Sequence, residues 1–86
     1  MLIRTQNKIG LIDITNLVIG IDDKNNIAAY STNALELYDY LKLGTYSTKD
    51  KAIKALDMIQ KTYEDANNFH YVANRVFIMP ADEEVI

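Results

Sequence analysis

No cysteine occurs in this 86-residue chain, which excludes a disulfide framework and any thiolate zinc site. The three glycines, Gly10, Gly20 and Gly44, are isolated, so there is no glycine-rich loop to cradle a phosphate. Histidine occurs once, as His70. A nucleophilic triad would have to combine it with Ser31 or Ser47, and no spacing supports that. Arginine is confined to Arg4 and Arg75, so bidentate phosphate or carboxylate recognition has two candidates. No apolar run approaches the roughly 20 residues of a membrane span. Met1–Gln6 lacks the basic start and long apolar core of a signal peptide, so the expected compartment is the cytoplasm, with no membrane partner.

Net charge is small as well. Nine Lys and Arg stand against twelve Asp and Glu, for a net charge of −3. Three of the acids, Asp82, Glu83 and Glu84, crowd the C-terminal tail (80–86), which leaves the body neutral. A neutral body has no field for a phosphate backbone, so general nucleic-acid binding is not expected. The tail reads as a solvated end.

What the chain does have is the patterning of one small α+β domain. Surface scaling gives a folded monomer of this mass little stability margin, so a homo-oligomer is expected. Leu2–Gln6 and Ile9–Ile14 read as strands joined at Asn7-Lys8. Leu17–Ile21 alternates, with Leu17, Ile19 and Ile21 on one face. Asp22–Asn26 is a turn, and Ile27–Ser31 resumes as a strand. From Ala34 to Tyr46 a period of two places Leu35, Leu37, Leu41 and Leu43 on one face. Glu36, Tyr38, Tyr40, Lys42 and Tyr46 take the other.

Ser47-Thr48-Lys49-Asp50 matches a capping box, and a helix starting at Thr48 is expected. Ala52, Leu56, Ile59 and Tyr63, filled in by Ala55 and Ala66, form its apolar stripe, and Asn67-Asn68 ends it. Phe69–Val72 fits strand, loop or helix extension. Arg75–Met79 is a last strand, stopped by Pro80 and free to pair with the first. The expected architecture is an antiparallel sheet of four to five strands, a long amphipathic helix packed on one face, then a C-terminal strand. Tyr38, Tyr40 and Tyr46 would occupy the opposite face.

Asp22–Asn26 superficially resembles a calcium loop, but a loop starting at Asp23 lacks the central glycine and closes on Ala34 instead of Glu. It reads as a hairpin turn. No metal, no cofactor and no enzymatic activity are expected. Six tyrosines against two phenylalanines and no tryptophan are the unusual feature. Tyrosine suits a half-exposed strand face, an interface, or a platform for stacking bases.

Four segments carry a family resemblance: Met1–Gln6, Leu43–Thr48, the helix from Lys51-Ala52 to Ile59, and Val76–Pro80. On these the chain resembles small proteins of phages, prophages and mobile elements of low-GC Gram-positive bacteria. A composition rich in Ile, Asn, Lys and Tyr, residues with AT-rich codons, agrees with such a source. The resemblance implies a binding role in a host cell cytoplasm. It implies an anti-defence factor that sequesters a nucleotide-derived immune signal as an oligomer. The alternatives are a protein–protein inhibitor of a host defence enzyme and a purely structural oligomer. For the sequestering reading the candidate ligand-binding residues are Arg4, Arg75, Tyr38, Tyr40 and Tyr46.

Overall fold

A computed structural model of the chain describes residues 1–31, 40–69 and 76–86. The fold is α+β. The strands are β1 (Leu2–Arg4), β2 (Leu11–Asp13), β3 (Leu17–Ile21), β4 (Asn26–Ser31) and β5 (Tyr40–Thr45). They are followed by the helix α1 (Lys49–Phe69), the strand β6 (Val76–Ile78) and a 3₁₀ turn at Asp82–Glu84. The expected readings of Leu35, Leu37, Tyr38, His70, Phe69–Val72 as a whole and Arg75 fall wholly or partly outside the described residues.

The strands divide between two three-stranded sheets. Sheet A has the order β2-β1-β6 and sheet B the order β3-β4-β5. β6 lies parallel to β1, so the last strand does pair with the first, with Ile3 opposite Phe77. A parallel pair needs a long crossover, which the rest of the chain supplies.

Three turn residues lie in the left-handed region: Lys8 (φ 73°) in the β1–β2 hairpin, Asn16 (φ 67°) in the connection from β2 to β3 between the sheets, and Asn25 (φ 62°) in the β3–β4 hairpin. At the β3–β4 hairpin, Asn25 N donates to Asp22 O and Asp22 N to Asn26 O. This is a three-residue loop closed by a left-handed residue, and asparagine tolerates that conformation.

The core lies between α1 and the two sheets. Ala52, Ala55 and Ile59 from the helix meet Ile3, Ile27, Ala29, Leu43, Phe77 and Met79, all buried. Leu17, Ile19 and Ile21 pack on this cluster from one face of β3, as their alternation predicts. Alanines on the helix stripe let α1 approach the strands closely. Thr48 caps α1, its Oγ1 accepting from Lys51 N at 3.1 Å, so the cap falls one residue after Ser47, where the capping-box match places it.

Two expectations are corrected. First, Tyr46 does not share a face with Tyr40; it is 3% exposed in the core beside Leu43. The cause is a β-bulge. Ile27 pairs with Gly44 but Ala28 pairs with Lys42, so Leu43 is an extra residue and the alternation slips by one. Second, the acidic tail is docked. Asp82 Oδ1 accepts from Ser47 N at 2.8 Å, Lys51 Nζ lies 3.5 Å from Asp82 Oδ2, and Val85 is buried. Lys51, which flanks the apolar stripe one turn before the buried Ala55, is half-buried.

Gln6 joins the pieces. Its backbone N donates to Leu43 O at 2.8 Å, which links the end of β1 to β5. Its side-chain amide then acts as a detached peptide group. Oε1 accepts from Thr45 N at 2.8 Å, while Nε2 donates to Thr45 O at 3.0 Å and Pro80 O at 3.2 Å. Gly44 permits this approach, since a Cβ there would stand 3.3 Å from Gln6 Cβ.

Gln6→Ala removes three side-chain hydrogen bonds between β1, β5 and the C-terminal segment. It is expected to cost about 2 kcal/mol in urea denaturation. Gln6→Glu turns a donor into an acceptor facing two carbonyls and is expected to be worse at pH 7 than at pH 3, where the carboxyl is protonated.

Candidate binding surface

The alternation of sheet B sends Val18, Gly20 and Asp22 from β3 and its turn to the outer face. Asn26, Ala28 and Tyr30 from β4 join them, with Tyr40 and Lys42 from β5. Tyr30 and Tyr40 are register partners, and their rings meet edge to face at 5.4 Å and 69°. This is a favourable arrangement of the two ring quadrupoles.

Both rings lie down on the sheet because the residues beneath them are small. A Cβ on Gly20 would be 3.7 Å from Tyr30 Cε2. Tyr40 stretches along the face to donate its hydroxyl to Asp22 Oδ2 at 2.6 Å. Ala28, which lies between Asn26 and Tyr30 on the same face, is 0% exposed although it points away from the core.

Asp22 is the anchor of this face. Oδ1 accepts from Lys24 N and Asn26 N, both at 2.9 Å, and Oδ2 accepts from Asn26 Nδ2 at 2.9 Å in addition to Tyr40. The Tyr40 hydroxyl, followed by the Asn26 side chain and backbone, holds the Asp22 carboxyl well below the usual carboxylate range. Reciprocally, the Asp22 hydrogen bond raises the Tyr40 phenol. Asn26 extends the network, its Oδ1 accepting from Thr45 Oγ1 at 2.7 Å. The result is a fixed aromatic patch with Tyr40 40% and Val18 52% exposed.

Lys42 stands at the border of this patch. It also lines a polar cleft of about 190 Å³ formed by Thr5, Gln6 and Asn7 on one side and Leu43, Gly44 and Thr45 on the other. A second, apolar groove of about 320 Å³ runs between α1 and the strands, lined by Met1, Ile14, Ile19, Leu56, Ile59, Gln60 and Tyr63.

The residues expected to bind ligand do not converge. Tyr40 is on the outer face of sheet B. Arg4 is on the outer face of sheet A, where its Nη1 donates to Lys8 O at 2.8 Å. Tyr46 is buried with its hydroxyl donated to Pro80 O at 2.8 Å, and desolvation pushes its phenol up to about 12. Its ring is therefore part of the core and not open to a surface ligand. Tyr38 and Arg75 fall outside the described residues.

The partners that Tyr40 does have, Tyr30, Asp22 and Lys42, were legible only in part. Lys42 shares its period of two. Tyr30 and Asp22 come from other strands and need the register. Small residues at Gly20 and Ala28, flanked by large ones on the same face, are the signal that a ring lies over them.

Among the described residues there is no cluster of three or more His, Cys, Asp or Glu placed to hold a metal, and no helix long and apolar enough to cross a membrane. The chain matches no protein-family model, no curated protein and no solved structure.

The Asp22 network has a defined pH dependence. Its folded-state pKa is depressed, so its contribution is fully present above the unfolded value of about 3.9 and declines as pH falls below that. Asp22→Asn is expected to lower the urea midpoint at pH 7, and the gap to wild type is expected to narrow by pH 2.5.

Proposed function

We propose that this protein is a non-catalytic binding module that takes a planar, anionic ring compound of nucleotide type on the outer face of sheet B. The observation that carries the reading is the placement of Lys42 between a fixed tyrosine pair and a polar cleft. A ring stacks on Tyr40, whose orientation is already set by Asp22, so little rotamer entropy is lost on binding. The anionic group lies toward Lys42 and the cleft, where Asn7 and Thr45 add polar contacts.

In the setting that the resemblance to phage and mobile-element proteins implies, the ligand is a nucleotide-derived immune signal. The protein then acts by sequestering it in the host cytoplasm, as an oligomer. The runner-up is a protein–protein inhibitor of a host defence enzyme. It would use the same patch, since Val18 and Tyr40 are 52% and 40% exposed there. Presentation of the acidic tail to a partner is less well supported, because Ser47 and Lys51 already engage Asp82.

Isothermal titration with mononucleotides and cyclic dinucleotides tests the reading. Tyr40→Ala and Lys42→Ala are each expected to weaken binding at least tenfold, and Tyr63→Ala on the helix to leave it unchanged. No heat with any of these ligands would reject the nucleotide class and favour a protein partner.

A further inference from the structure

We propose that the outer face of sheet A is a two-fold interface with a second copy of this chain, in which Arg4 of each protomer meets Asp13 of the other. The face is a grid of two rows. Asp13, Leu2 and Val76 form one, and Leu11, Arg4 and Ile78 form the next, each read across β2, β1 and β6. The residues between them, Ile12, Ile3 and Phe77, point to the core.

A sheet face turned to water is normally polar. Here the outward positions are mostly apolar, with Leu11 53%, Val76 45% and Ile78 58% exposed. The two charges on the grid are of opposite sign, one in each row.

That charge pattern selects the partner and the geometry. Two sheets stacked face to face lie about 10 Å apart. If the two-fold axis ran along the strands, Arg4 would lie over Arg4 of the other copy, a like-charge clash. If it runs across the strands, the rows are exchanged. Val76 then covers Ile78, Leu2 covers the stem of Arg4, and Asp13 covers Leu11. Each Arg4 is offset from the opposing Asp13 by one strand spacing, about 4.8 Å, which a guanidinium on its stem spans. The face is thus complementary to itself, as an isologous interface requires.

Both charged groups have capacity to spare. Arg4 uses one N–H on Lys8 O. Asp13 Oδ1 accepts from Thr15 N at 3.0 Å and lies 4.0 Å from the Met1 amino group, and the Asp13 side chain is 64% exposed. Stacking buries on the order of 900 Å² in total, below the standard interface, so the dimer is of the weak, transient class.

The interface does not rest on the ligand reading, because sheet B contributes nothing to it. Sedimentation of the ligand-free full chain from about 1 to 500 μM tests it. Wild type is expected to pass from monomer to dimer. Arg4→Asp alone and Asp13→Arg alone are each expected to weaken dimerisation at least tenfold. An equimolar mixture of these two variants is expected to restore it, since every contact then joins opposite charges. Circular dichroism of each variant checks that it is folded. Wild type that stays monomeric throughout, or a dimer indifferent to both charge reversals, would overturn the proposal. So would a mixture no more associated than its folded components.

Discussion

The two sheets are held as one body by an amide that is not part of the main chain. Gln6 carries one backbone bond to Leu43 and three side-chain bonds to Thr45 and Pro80. It thereby completes the hydrogen bonding of β5 and of the segment after β6 at the same point. A side-chain amide can do this because it has the donor and acceptor of a peptide group without the constraint of chain direction. The bulge at Leu43, the glycine at position 44 and the burial of Tyr46 all cluster around that junction. The tail follows from it too, because Pro80 held by Gln6 and Tyr46 sets where Asp82 can meet Ser47.

The bulge divides sheet B into two working faces. Inward, it brings Leu43 and then Tyr46 to the helix. Outward, it leaves Tyr40 and Lys42 in phase with Tyr30, Ala28 and Asp22. One inserted residue thus assigns one tyrosine to stability and another to the surface. The surface tyrosine is restrained by Asp22, whose own position comes from the hairpin turn. A turn residue and a surface aromatic are therefore one structural unit.

Much of the fold was legible because it rests on local rules. The turn at Asp22–Asn26, the alternation of Leu17, Ile19 and Ile21, the helix from Thr48 and the stop at Pro80 follow from turn chemistry, period and capping. The pairing of β6 with β1 was also foreseen, from the order of elements. The candidate surface was legible only at Tyr40 and Lys42, which share one strand. Tyr30 and Asp22 join them across two strand pairings whose register no local pattern states.

What the sequence by itself determined is the content of this protein: its strands, its helix, its turns, and an aromatic surplus with almost no arginine or histidine. Those properties depend on neighbours within a few residues. Only the tertiary structure decided that the strands form two sheets and that Tyr46 is core while Tyr40 is surface. It alone decided that the tail is docked and that Arg4 and Asp13 share an apolar face. Each of these turns on contacts between residues far apart in the chain, as with Gln6 and Pro80, or on a single bulge. Periodicity cannot report them, because one inserted residue leaves composition and pattern nearly unchanged while it reverses which side of the sheet a residue faces.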